Sequence, residues 1–234
     1  MFFLVFLLLT LLAVLLFKMV YGSISVKAIK RLSEDPYFND LAKDLPGNIE
    51  VCQEMLAVLD NKKTRVRESK TAGVGASFYL HMEDVILLSS KEENKSNFTR
   101  FLFLAHECIH SIQSKGQLWV SFILSNITLW YFGAISAVKI LHLMTSGEVY
   151  YLTSLVFLCL VTLFARVTVE ADASYRSIGL AAGYLEKKLG REKANEIGKR
   201  YEELIYGNIP AYFFSMILPM LMGIAVFSTI IIVS

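Results

Sequence analysis

The 234-residue chain is 55% hydrophobic and 19% charged, with 23 Lys and Arg against 21 Asp and Glu and a formal net charge of +2. Soluble domains average about 45–50% apolar and about 25% charged, so this composition points to a membrane protein. The near balance of charge leaves no electrostatic footprint for nucleic acid, and 12% aromatic residues argue against a disordered chain. The three cysteines, Cys52, Cys108 and Cys159, are odd in number and have no CxxC spacing, which argues against a disulfide framework or a structural zinc ribbon.

Phe2 to Phe17 is apolar except for Thr10 and continues past Lys18 to Gly22, about 20 residues, enough to span a bilayer. No basic residue precedes Phe2, so residues 1–22 read as an uncleaved anchor rather than a secretory signal peptide. The polar segment 23–116 follows. Within it the spacing predicts a helix over Val51–Leu59, stopped by Asp60-Asn61-Lys62-Lys63. Thr64–Glu68 and Ala76–Ser89 read as short strands, with Val85-Ile86-Leu87-Leu88 the buried part. A further helix is expected to start near Ser96 or Asn97 and to run through Ile112.

Two more apolar runs, Leu118 to Met144 and Val149 to Ala165, are separated by Thr145-Ser146-Gly147-Glu148 and make residues 117–169 a membrane hairpin. Asn126 and Lys139 interrupt the first of them. Residues 170–207 are helical in pattern. The last run, Ile209 to Val233 within 208–234, carries Pro210, Pro219 and Gly223, which transmembrane helices tolerate when neighbours satisfy the freed backbone groups. The fold class is therefore a mainly α membrane protein with four transmembrane helices and a polar portion carrying a small β element.

Basic residues set the expected orientation. Lys18 lies at the end of the first run, thirteen Lys and Arg fall between Lys27 and Lys115, eight between Arg166 and Arg200, and Lys139 completes the 23. The turn at 145–148 and the tail after Val233 have none. By the positive-inside rule both polar segments are cytoplasmic and the chain is a multi-pass protein of the plasma membrane. The sequons at Asn94-Lys95-Ser96 and Asn97-Phe98-Thr99 then face the cytosol and read as chance matches.

The chemistry lies in Phe101–Gln113, FLFLAHECIHSIQ, where His106-Glu107-Cys108-Ile109-His110 is an HExxH motif. On a helix, two histidines four apart project from one face and reach a single zinc, while Glu107 addresses the water. A catalytic zinc takes three protein ligands and leaves a fourth position open. The hairpin returns the chain to the same side at Arg166-Val167-Thr168-Val169-Glu170-Ala171-Asp172-Ala173-Ser174, which makes Glu170 the candidate third ligand. The competing role for Glu170 is an i,i+4 ion pair with Arg166.

HECIHSIQ, the Val85–Ser89 strand and the EADAS segment Glu170–Ser174 resemble the neutral zinc metallopeptidase family typified by YugP, membrane-embedded gluzincin-like proteases. The resemblance covers roughly residues 23 to 185. More distantly, the chain is similar to the CaaX-prenyl protease and HtpX families. The resemblance implies a zincin-like α+β cytoplasmic portion, one Zn2+ per chain and a third metal ligand at Glu170. Where the family often has Asp-His-Tyr-Asp-Pro before the strand, this chain has Ser77-Phe78-Tyr79-Leu80-His81.

On this reading His106, His110 and Glu170 hold zinc, which brings the pKa of a bound water to about 7, and Glu107 is the catalytic base that later protonates the leaving amine. Tyr175, Arg176 and His81 are candidate oxyanion donors. Ser174, four residues after Glu170, is placed to support the metal shell. Asp172 and Cys108 each point about 200° away from their neighbouring ligands, and His142 is assigned to the opposite membrane side. The expected partners are a protein or peptide substrate, membrane-associated or misfolded, and the lipid bilayer; a regulatory membrane partner is open, and no nucleic acid is expected. Two alternatives stay open: an inactive metal-binding membrane scaffold, and a small transporter using Arg166, Glu170 and Asp172 as intramembrane charges.

Overall fold

A computed structural model describes residues 2–21, 34–69, 77–89, 97–144 and 146–234. Its elements are α1 (Phe2–Tyr21), α2 (Pro36–Ala42), α3 (Asn48–Val58), β1 (Arg65–Ser69), β2 (Phe78–Leu80), β3 (Val85–Ser89), α4 (Arg100–Ile112), α5 (Lys115–Ile140), α6 (Glu148–Leu189) and α7 (Arg191–Val233). They divide into two compact units. One holds Met1–Val26, Trp119–Thr168 and Ile209–Ser234; the other holds Lys27–Leu118 and Val169–Asn208.

The first unit is built from apolar helices. Among the described residues four helices, α1, α5, α6 and α7, are long and apolar enough to cross a membrane. Their packed side chains include Ile135, Leu152, Leu155, Cys159, Ile224 and Phe227. Large apolar side chains such as Leu9, Trp130, Phe157 and Phe164 remain exposed, a surface that suits lipid rather than water. Two polar pairs join these helices: the Thr128 and Thr162 hydroxyls lie 2.7 Å apart, and Lys139 pairs with Glu148 at 3.1 Å. α7 runs through Pro210 and Pro219 without a break.

The second unit packs α2, α3, α4 and the polar parts of α6 and α7 with a three-stranded sheet. The strand order is β1-β3-β2, with β1 parallel and β2 antiparallel to β3. β3 is central, and its Val85, Ile86 and Leu88 are buried, as a strand covered on both faces requires. Val51, Cys52 and Met55 of α3 meet Phe101, Leu104, Ala105 and Cys108 of α4 in the core, together with Ala181 and Leu185 of α6 and Ile197 and Tyr201 of α7. Phe98 lies flat on Tyr201, 5.9 Å between centroids, and the Tyr201 hydroxyl donates to the Phe98 carbonyl at 2.6 Å.

Three boundaries differ from the sequence expectations. α4 starts at Arg100, because the Asn97 side chain accepts the N–H and hydroxyl of Thr99 and holds a turn in front of the helix; Ser96 lies outside the described residues, as does the whole sequon at 94–96. The expected strand over Ala76–Ser89 is a hairpin. Leu80 ends β2, and Asp84, with φ +51°, takes the left-handed conformation that Asp tolerates before β3 begins; Ala76 is not among the described residues. The polar helical stretch from Glu170 divides at Gly190, whose φ of +86° ends α6 before α7 restarts at Arg191.

Arg100 fixes the first turn of α4 and carried no signal in the sequence. It is buried, and its Nη1 donates to Pro46 O at 2.8 Å and Asn48 Oδ1 at 2.9 Å, while Nη2 donates to Leu45 O at 3.2 Å and Ala42 O at 3.4 Å. The guanidinium thus ties α4 to the segment that links α2 to α3, and burial lowers its pKa. Lysine is a point donor and cannot serve this fork of acceptors. Arg100→Lys should cost about 3 kcal/mol or more and lower the unfolding temperature in detergent by several degrees; an unchanged melt would show that the fork is not needed.

Candidate metal centre

α4 carries His106 and His110 on one face, one turn apart. Their rings stand edge to face with centroids 4.6 Å apart, and the two Nε2 atoms are 3.0 Å from each other. Glu170, from α6, brings Oε2 to 3.3 Å from His106 Nε2 and 3.4 Å from His110 Nε2. Four-coordinate zinc with bonds of about 2.0–2.1 Å sets its ligand atoms about 3.3 Å apart, so the three atoms already have the spacing of three corners of a tetrahedron. Two imidazoles and a carboxylate are also a donor set zinc accepts. Among the described residues these three form the group able to hold a metal ion. All are sheltered but open to solvent on one side, with side-chain exposures of 17%, 9% and 23% for His106, His110 and Glu170.

Each of the two histidines is backed by a second side chain. Ser174, one turn after Glu170 on α6, sets its Oγ 3.5 Å from His106 Nδ1, and the Ser177 hydroxyl donates to the Ser174 carbonyl. His110 Nδ1 lies 2.8 Å from Gln113 Oε1, and Gln113 Nε2 donates to Val169 O and to Asp172 Oδ2, both at 2.8 Å. Asp172 thus reaches His110 through Gln113. Gln113 was missed in the sequence, although its place three residues after His110, at the end of the helix, puts it on the same side.

Glu107 has a different support. Its Oε2 accepts the backbone N–H of Tyr79 at 2.7 Å. Tyr79 is opposite Ile86 in the β2–β3 register, and β2 is an edge strand, so this N–H turns away from the sheet towards α4. Burial raises the Glu107 pKa, outweighing the two histidines and the Tyr79 N–H, which act to lower it. The Tyr79 hydroxyl donates to Asp84 Oδ1 at 2.9 Å, and the Thr64 hydroxyl donates to the same oxygen at 2.7 Å. Burial pushes the Asp84 carboxyl up, but these two hydroxyls and Lys115 outweigh it and the net shift is down. Asn61 Nδ2 then donates to Thr64 Oγ1 and Ser111 Oγ, tying the strand to the end of α4.

The other candidates fall as follows. Tyr175 is exposed, Arg176 donates to Asp172 at 3.3 Å, and His81 lies in the turn between β2 and β3. Cys108 is a buried free thiol, its pKa pushed well up by Cys52 and by burial. His142 sits in the connection between α5 and α6. No protein-family model, curated protein or solved structure matches the chain.

Burial acts to lower the His110 pKa, but Glu170, Glu107 and Gln113 outweigh it and the net shift is up. A metal binds the neutral imidazole, so protons on His110 compete with it. The apparent zinc affinity, read by chelator competition, should weaken as the medium is acidified from mild alkali. An affinity unchanged between about pH 8 and about pH 5 would contradict this.

Proposed function

We propose that this protein is an integral membrane zinc metalloendopeptidase, related to the neutral zinc metallopeptidases its motifs resemble, with a zincin-like catalytic portion on the cytoplasmic face. The observation that carries the proposal is the His106–His110–Glu170 cluster at tetrahedral spacing, with the glutamate of the same HExxH motif, Glu107, held on the helix between the two histidines. A zinc ion supplies Lewis acidity, making water a nucleophile near neutral pH and polarising a carbonyl. The chain supplies the rest.

His106, His110 and Glu170 would hold the ion. Glu107 takes the proton of the attacking water on the carboxylate oxygen that Tyr79 does not occupy, and hands it to the departing amine. Its raised pKa suits a group that must keep a proton between those two steps. The fixed N–H on Oε2 restricts the carboxylate to one rotation, so the free oxygen is aimed in advance. Membrane-associated or misfolded proteins are the substrates proposed, because α5 begins five residues after the cluster's His110, at Lys115, and Glu170 lies within the same helix as the apolar stretch of α6. The excess of Lys and Arg in the segments carrying these residues supports the cytoplasmic side.

The test is bound metal per chain and casein hydrolysis on the same detergent-solubilised samples of wild type, His106→Ala, Glu170→Ala and Glu107→Gln. Expected are near one zinc in wild type and Glu107→Gln, little in the other two, and hydrolysis in wild type alone, with Glu107→Gln down by at least about a hundredfold. Full zinc in Glu170→Ala would remove that ligand. Zinc binding without hydrolysis in wild type would favour the scaffold, and no zinc at all would end the metallopeptidase reading.

A further inference from the structure

The bonds of Gln113 fix more than its own position. Its side-chain nitrogen faces two groups that can only accept, the Val169 carbonyl and the Asp172 carboxylate, each at 2.8 Å. Turning the amide over would set three acceptor oxygens against one another with no proton among them, so Nε2 must be where the donors are needed. Oε1 is then the atom 2.8 Å from His110 Nδ1, and an amide oxygen cannot donate. The hydrogen of that bond belongs to His110 Nδ1. A neutral imidazole protonated at Nδ1 presents its lone pair at Nε2, the atom 3.0 Å from His106 Nε2 and 3.4 Å from Glu170 Oε2.

Resting on the metal-centre reading above, we infer that Gln113, oriented by Asp172 and the Val169 carbonyl, is a positioning residue that selects the metal-ligating tautomer of His110 and sets its ring angle. It also sets a distance. Val169 immediately precedes Glu170, so the one amide that orients the histidine on α4 grips the backbone of α6 beside the carboxylate ligand. Asp172 completes the arrangement from the half-exposed side of α6, where Arg176 Nη1 lies 3.3 Å from the same Oδ2.

A bolt between two helices and a positioning residue differ in what they change. The bolt affects stability; the positioning residue affects metal affinity and coordination geometry even where the apo fold is intact. The full chain in detergent is compared as wild type, Gln113→Met, Asp172→Ala, Asp172→Asn and His110→Ala. Zinc affinity is read by chelator competition, the visible spectrum is taken after cobalt(II) loading, and the apo melt is taken in excess chelator. Gln113→Met keeps the shape without the hydrogen bonds and should lose about ten- to a hundredfold in zinc affinity and alter the cobalt spectrum. Asp172→Ala should lose less, and Asp172→Asn, whose amide oxygen still accepts from Gln113, should recover wild-type affinity with an unchanged spectrum. The exposed position of Asp172 lets this pair decide the matter if Gln113→Met fails to fold.

Gln113→Met and Asp172→Ala both binding zinc within about threefold of wild type, while His110→Ala does not, would overturn the role of Gln113 and leave the metal centre standing. Wild-type affinity in His110→Ala would overturn the metal centre itself, and the inference with it.

Discussion

Two imidazole nitrogens and a carboxylate oxygen within 3.4 Å of one another are a concentration of lone pairs, and everything around them is arranged to keep them there. In water such groups would turn away and hydrate. Here neither helix is free to turn. α4 is held at its start by Arg100, whose two terminal nitrogens donate to four oxygens before the helix, and at its end by the Asn61–Ser111 bond. The two helices share one apolar core, in which the Phe101 ring stacks on Tyr184 at 5.7 Å. The cost of crowding like groups falls on the core, and a cation bound there would offset it, which would couple the stability of this unit to metal occupancy.

The same packing explains the contrast between the residues of HECIH. His106 and His110 share a face with the solvent-open side, whereas Cys108 turns into the core against Cys52 of α3. Glu107 lies between these directions and is covered by β2. A strand of only three residues does this because it is held twice, along one edge by its ladder to β3 and through the Tyr79 and Thr64 hydroxyls that both donate to Asp84. The left-handed backbone at Asp84 is part of that second hold: it turns the carboxylate back over the strand it has just left.

Much of this was legible in the sequence, and the rest was not for identifiable reasons. The apolar runs declare themselves by length, and HExxH by residue type and spacing, because both are local patterns. Glu170 needed one long-range step, the hairpin that returns the chain, and the structure does bring its carboxylate to the two imidazoles. The strand over Ala76–Ser89 was misread because His81-Met82-Glu83-Asp84 has neither Gly nor Pro, and the turn depends on Asp84 accepting a conformation that its neighbours would not. Arg100 could not be anticipated at all. A basic residue at the start of an apolar helix ordinarily reads as solvated, and three of its four acceptors are backbone carbonyls, which every sequence possesses.

That last point separates the two supports of the candidate site. Glu107 is held by a backbone N–H, so any residue except proline at position 79 could make the bond, and no sequence pattern marks it. What position 79 adds by being tyrosine is the hydroxyl that anchors the strand to Asp84. His110 is held by a side chain that must accept at one end and donate at the other, over a fixed length, to a carbonyl and a carboxylate on α6. Glutamate lacks the donor, asparagine the reach, and lysine or arginine the acceptor. Glu107 therefore depends on the position of a strand and His110 on the identity of one residue, so this site constrains the sequence tightly around the histidines and loosely around the strand that supports their neighbouring glutamate.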